Sequence, residues 1–275
     1  MTTKQYLFDH ESSRVELFSV TTLNFFTGPM DEGVKYLKSR WAEVAKLNPW
    51  IGATMGRDPD GRVFMEFGSQ AVEVENSMDE LVVVDHTLEI HDKMDVSSMK
   101  LAFEKTKAGL GLLSFMLQRD KDTGRLPLVS RMTVAPNLCN PQNSFVVVFA
   151  LSHNVGDGYT YYKLLSMLSP KVPIEALSPV RKEGFTEQVR KSYSYPEATD
   201  FKVNCALGFL KAKLLGIKAK WHCYCVDSEK VAKAKAKSNA EGLVPFISTN
   251  DLLLSHFGEA TQADLILSLM NVRGR

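Results

Sequence analysis

The chain has 275 residues, of which 44% are hydrophobic, so it can bury a substantial core as one large or two moderate domains. Its 33 basic and 32 acidic residues nearly cancel, which excludes a global electrostatic attraction to nucleic acid. No C-x-x-C pair occurs, so a reduced, cytoplasmic chain is expected. The four cysteines are Cys139, Cys205, Cys223 and Cys225.

The N-terminal part predicts a helix followed by a hairpin. Its first ten residues contain no apolar core of signal-peptide length. Apolar residues then recur at helical spacing between Val34 and Val44, and Asn48-Pro49 ends that helix. A small-residue strand, a turn and a second strand are predicted next. They span residues 50–56, 58–61 and 62–67.

An apolar run over residues 145–151 predicts a buried strand, and His153 follows it almost at once. A histidine leaving the end of a buried strand can serve as a general base, since imidazole exchanges protons near neutral pH. Asp157 can orient local groups or cap the helix predicted near Tyr159. Gly158 removes a Cβ where the backbone is expected to turn sharply.

Residues 169–199 predict a crossover between domains, because four prolines interrupt any long periodic pattern there. The longest apolar stretch after it, residues 203–217, contains Lys211 and Lys213. That stretch is shorter than the ~20 apolar residues of a membrane span. It predicts an amphipathic helix, with a membrane-surface anchor as the less favoured alternative.

The order of these segments resembles that of the chloramphenicol acetyltransferase-like acyltransferases. His153 to Gly158 resembles their HxxxDG signature, and the helix ending at Asn48-Pro49 with its hairpin resembles their N-terminal domain. Ser248 to Asp251 resembles their STND helix start, and Asn271 to Arg275 their NxRxR strand. Ser152 stands where condensation domains and wax synthases have a first His, which favours the BAHD or alcohol acyltransferase branch.

The resemblance implies an α/β fold of two related domains, each with a mixed sheet and packed helices. The implied reaction transfers an acyl group from acyl-CoA to a hydroxyl or amine acceptor, with His153 expected to act as the general base that takes the acceptor's proton. Asp157 is expected to pair with Arg273 and so hold the loop, with Gly158 in a structural role. Acyl-CoA is a co-substrate, and neither a bound cofactor nor a metal is expected.

The family's layout places an N-terminal domain at residues 1–172, a crossover linker at 173–197 and part of a second domain at 198–275. Members of the family are much longer, and the DFGWG motif of the BAHD branch is absent from this sequence. The chain is therefore expected to be truncated after a partial second domain. A partner chain can complete that domain.

Two other functions stay open on the sequence. A truncated paralogue could keep the fold and the histidine yet serve as a non-catalytic binding module. A condensation domain would take its acyl group from a carrier protein instead of acyl-CoA. The sequence identifies neither the acyl donor nor the acceptor, because both depend on the shape of the pocket.

The remaining polar residues suggest no second site. Three tyrosines, Tyr159, Tyr161 and Tyr162, are better explained by packing than by an acyl pocket. The histidines other than His153 show no metal-ligand spacing; they are His10, His86, His91, His222 and His256. The lysines between Lys202 and Lys237 predict a solvated face, with a basic rim for coenzyme A phosphates as the less favoured reading.

Overall fold

A computed structural model describes most of the N-terminal part of the chain and two helices near its C-terminus. The described residues are 2–7, 19–68, 78–95, 98–99, 102, 128–180, 191, 207–208, 210, 214, 216, 226–242 and 246–262. Two units are distinguished, Met1–Trp221 and His222–Arg275. Three of the four cysteines, Cys205, Cys223 and Cys225, lie outside the described residues, as does Arg273.

The first unit contains both strands and helices. Its elements are β1 (Thr2–Tyr6), β2 (Ser19–Thr27), α1 (Met30–Leu47), a 3-10 turn (Pro49–Gly52), β3 (Thr54–Arg57), β4 (Val63–Gly68), α2 (Met78–Leu81), β5 (Val82–Val84), β6 (Ser130–Pro136), β7 (Ser144–Ser152) and α3 (Gly158–Ser166). They form a three-stranded sheet of order β1-β4-β3 and a four-stranded sheet of order β2-β7-β6-β5. The α/β class predicted from the sequence is confirmed.

Helix α1 confirms the predicted N-terminal helix. Its apolar stripe buries Leu37, Trp41 and Val44, while Asp31 and Glu32 lie in its first turn, where the helix dipole favours acidic groups. The residues after it correct one detail of the prediction. Pro49 begins a 3-10 turn, so the strand starts at Thr54 and not at Trp50. Proline suits this position because it needs no partner for an N–H.

The hairpin predicted after that helix is also present. Strands β3 and β4 pair antiparallel, with Thr54 opposite Glu66 and Arg57 opposite Val63. The turn between them takes Gly61 to a φ of +82°, a conformation that glycine adopts without a steric penalty. The side chain of Asp58 accepts a hydrogen bond from the backbone N–H of Arg62 at 2.8 Å.

Strand β7 is the centre of the larger sheet and is buried along all of its length. It pairs antiparallel with β2 on one side and with β6 on the other, while β5 and β6 are parallel. Side chains alternate between two faces of a strand. Phe149 therefore packs against Trp41 of α1 and Tyr161 of α3, with ring centroids 5.3 and 4.9 Å away. Val146 and Val148 belong to a smaller cluster on the opposite face.

Side chains of α1 and of the 3-10 turn, among them those of Arg40, Asn48 and Trp50, hold the chain that follows α3. Arg40 donates to the carbonyl oxygens of Met167, Ser169 and Val172 at 2.8, 3.1 and 2.7 Å. The buried Asn48 donates to the Glu175 carbonyl and accepts from the Leu177 N–H, at 2.9 and 2.7 Å. Trp50 donates its indole N–H to the carbonyl of Leu177 at 3.1 Å. The first residues of the predicted crossover thus follow a defined path over α1 and its 3-10 turn.

In the second unit the described residues contain helices α4 (Ser228–Glu241) and α5 (Thr249–Thr261). Helix α5 begins as predicted: Ser248 is its N-cap and forms a reciprocal capping box with Asp251. Helix α4 buries none of its described side chains, which agrees with a solvated lysine face. No helix in the described part of the chain is long and apolar enough to cross a membrane.

Candidate active site

The residues that carry the acyltransferase resemblance form a tight turn between β7 and α3. The carbonyl of Ser152 accepts hydrogen bonds from the N–H groups of Val155 and Gly156, at 3.2 and 3.3 Å. The hydroxyl of Ser152 accepts from the amide side chain of Asn154 at 3.2 Å. Ser152, Asn154 and Val155 are all buried. The turn is therefore held by its own hydrogen bonds and by the packing beneath it.

His153 is the exposed residue of this buried turn. No side chain or backbone group of the described residues hydrogen bonds to its imidazole. No described group therefore blocks the unprotonated ring nitrogen, which a general base needs in order to accept a proton. Since the neighbouring turn residues are buried, the backbone position of His153 is fixed while its ring faces outward.

Asp157 caps the helix that follows. Its Oδ1 atom accepts hydrogen bonds from the backbone N–H and the hydroxyl of Thr160, both at 3.1 Å. Helix α3 begins at Gly158, in agreement with a helix predicted near Tyr159. The acid thereby ties the helix start to the end of the His153 turn. Arg273, its expected ion-pair partner, lies outside the described residues, so that pairing stays a prediction.

Close packing singles out a glycine other than Gly158. A Cβ built on Gly156 would lie 2.8 Å from the Cδ2 of Leu151 and 3.0 Å from the Cγ2 of Thr160. Both distances are too short, and Leu151 is fully buried, so it has little room to move. A Cβ on Gly158 meets no described atom within 4 Å. The steric need for glycine predicted at Gly158 is therefore found at Gly156.

Tyr161 has the packing role expected for the tyrosines of this helix. It is fully buried, and its hydroxyl donates to the carbonyl of Phe149 at 2.8 Å. Because that proton is used, the hydroxyl of Thr22 donates to Tyr161 across a second 2.8 Å contact. Burial raises the pKa of Tyr161 to about 12. Tyr159 and Tyr162, in contrast, are exposed.

A cluster of three polar side chains lies at the other end of β7. It was not predicted from the spacing of residues in the sequence. A ring nitrogen of His91, the carboxylate of Asp92 and the thiol of Cys139 lie within 4.8 Å of one another. His91 follows β5, and Cys139 lies in the β6–β7 hairpin, 48 positions further along the chain. The adjacent His91-Asp92 pair is the one signal in the sequence. It is too common to identify a site without the fold.

Comparisons with known proteins give fold similarity over part of the chain. No protein-family model and no curated protein matches it. Among solved structures, it is similar to the TRI3 trichothecene 15-O-acetyltransferase from Fusarium sporotrichioides, with 9% identity and a TM-score of 0.44 over 61% of this chain and 34% of that one. For F. graminearum TRI101 complexed with ethyl coenzyme A, the identity is 11% and the TM-score 0.38, over 61% and 38%.

A third similar structure concerns condensation domain-mediated chain release from the enacyloxin polyketide synthase. Here the identity is 12% and the TM-score 0.34, over 61% of this chain and 27% of that one. The chain thus spans between 27% and 38% of the length of these three structures. At these TM-scores and identities the similarities carry no inference about this chain's family or activity.

Proposed function

We propose that this chain is part of a thioester-dependent acyltransferase in which His153 is the general base. The observation that carries the proposal is the geometry of the His153 turn. The exposed imidazole of His153 lies on a turn in which residues 154–156 are buried, directly after strand β7 and before a helix capped by Asp157. The HxxxDG resemblance gives this arrangement its chemical interpretation.

The reaction follows from the chemistry of a thioester. The acceptor oxygen or nitrogen attacks the carbonyl carbon of acyl-CoA while His153 takes the acceptor's proton. The C–S bond then breaks, and the imidazolium returns the proton to the departing thiolate, so the histidine ends as it began. No acyl-enzyme forms, and the mechanism needs no serine or cysteine nucleophile.

The other residues of the turn act through position. Asp157 caps α3, and we propose that it also pairs with Arg273, since a carboxylate and a guanidinium can form a two-pronged contact that fixes the loop. Asp157 and Arg273 would thus orient His153 without touching the substrate. We also propose a BAHD-like choice of acceptor, an alcohol or amine of small size, and a cytoplasmic location.

The test measures thiol release from a panel of short and long acyl-CoA donors with alcohol and amine acceptors. Loss of a general base lowers the rate by about 10²–10⁴-fold, so His153→Ala should abolish acceptor-dependent release. His86→Ala is the matched control, because His86 is also exposed and also follows a strand of the same sheet. It should keep the wild-type rate.

Each outcome has a definite meaning. Equal release from wild type and His153→Ala would contradict the assignment of the base. No release from the wild-type chain, with folding verified by circular dichroism, would favour the non-catalytic binding module. Release with acyl groups on a carrier protein but not on coenzyme A would favour a condensation domain.

A further inference from the structure

We propose that His91, Asp92 and Cys139 form a binding site for a divalent cation of zinc type. The three groups offer one nitrogen, one oxygen and one sulfur ligand within 4.8 Å of one another. This is the donor set that Zn²⁺ prefers, and three protein ligands leave a fourth position for water. The site is separate from His153, which lies beyond the opposite end of β7.

One backbone hydrogen bond brings the ligands together. The N–H of Leu138 donates to the carbonyl of Ile90 at 3.1 Å. Because Leu138 precedes Cys139 and Ile90 precedes His91, this single bond sets the two ligands side by side. Ile90 is fully buried, so the loop that carries His91 is anchored in the core.

The hairpin that carries Cys139 is held by Asn137, which is itself buried. The side chain of Asn137 donates to the hydroxyl of Ser144 at 3.0 Å and accepts from the N–H of Cys139 at 3.3 Å. On the other side, the N–H of Met94 donates to the carbonyl of His91 at 3.1 Å and closes a turn. Both loops are thus preorganised by hydrogen bonds within the protein, which lowers the entropic cost of binding a ligand.

The imidazole of His91 supplies an independent reason to expect a ligand. Its Nδ1 atom is buried and has no hydrogen-bond partner among the residues that the structure describes. A buried polar atom without a partner destabilises the folded state, and most such atoms in native proteins are paired. In the proposed site Nδ1 is the ligand atom of His91, and a cation shared with Asp92 and Cys139 is its partner.

The geometry requires little movement. Zn–S and Zn–N bonds of about 2.3 and 2.1 Å place tetrahedral ligand atoms roughly 3.6 Å apart. Asp92 and Cys139 are exposed, so their side chains can rotate over the difference. Cys139 loses its proton on binding, and the bound cation clamps the loop after β5 to the β6–β7 hairpin.

The test uses the full, reduced chain after removal of metal by a chelator. Titration with Co²⁺ should produce a thiolate-to-cobalt charge-transfer band at one equivalent, and Zn²⁺ should displace it and raise the thermal midpoint. Cys139→Ser should remove the band. Asp92→Asn, at an exposed position that does not threaten folding, should weaken Zn²⁺ binding by at least about tenfold, since even second-shell losses have that effect.

Two controls match these variants. Glu89→Gln changes an exposed carboxylate in the same loop and should leave Zn²⁺ affinity unchanged. The double variant Cys223→Ser, Cys225→Ser removes the two cysteines that lie close together in the sequence. It should keep the cobalt band, because neither thiol belongs to the proposed site. A band that survives in Cys139→Ser, or a wild-type chain that binds no Zn²⁺, would overturn the proposal.

Discussion

The two ends of strand β7 place histidines in opposite environments. At the end that leads to α3, His153 is exposed on a turn whose neighbouring residues are buried. At the other end, His91 is partly buried, and its Nδ1 atom is sealed from solvent without a hydrogen-bond partner in the described part of the chain. The nine residues of β7 separate the two ends by about 30 Å.

This difference distinguishes two uses of one side chain. A proton-transfer group must reach the substrate, so its ring has to stay open while its backbone is fixed. A metal ligand can be half-buried, because the cation supplies the missing partner and the loops supply the position. The exposure of the imidazole itself, open at His153 and partly buried at His91, separates the two proposed roles.

The largest structural effect is expected at Gly156, because the His153 turn depends on close packing. Gly156→Ala places a Cβ against Leu151 and Thr160 and should lower the free energy of unfolding by about 1–3 kcal/mol. Gly158→Ala is the matched control and should change it by less than about 0.5 kcal/mol. Urea unfolding followed by circular dichroism measures both. Equal losses in the two variants would show that packing does not set the turn.

Tyr161 tests the support beneath the turn. Tyr161→Phe removes the hydroxyl that joins Thr22 to the Phe149 carbonyl and should cost about 1–2 kcal/mol near neutral pH. Thr160→Ser, on the same helix, keeps a hydroxyl and serves as a mild control.

The pH dependence of the Tyr161 contribution has a definite sign. Because burial raises the pKa to about 12 in the folded state, from about 10 when unfolded, the neutral phenol favours folding. This contribution is complete below pH about 10 and is lost as the pH rises towards 12. The stability difference between wild type and Tyr161→Phe should therefore shrink over that range. A difference that stays constant would contradict the raised pKa.

The smallest effect is expected at Asp157, where capping and charge can be separated. Asp157→Ala removes the acceptor for the Thr160 N–H, whereas Asp157→Asn keeps a side-chain oxygen there. The alanine variant should be less stable than the asparagine variant by about 1 kcal/mol, the usual value of an N-cap. Thermal unfolding of both variants gives the difference. If the two variants lose the same amount, the charge of Asp157 matters more than its capping bond.

Local patterns predicted much of the fold because their causes are local. The apolar stripe of α1, the turn at Gly61 and the capping box at Ser248 each depend on residues a few positions apart. The 3-10 turn at Trp50 was missed, since Pro49 permits both a turn and a strand. The paths of residues 172–177 depend on Arg40 and Asn48, which lie far away in the chain, and no local pattern reveals them.

For the candidate sites, the sequence alone determined the order of elements around His153 and the start of the helix that Asp157 caps. It did so because strand, turn and cap follow one another directly in the chain. Only the tertiary structure decided that His153 is exposed, that Gly156 and not Gly158 is the tightly packed glycine of its turn, and that Cys139 meets His91 and Asp92. The first two facts depend on how the turn folds and what it buries, which spacing in the sequence does not reveal. The third depends on contact between distant segments, which the pairing of β5, β6 and β7 creates.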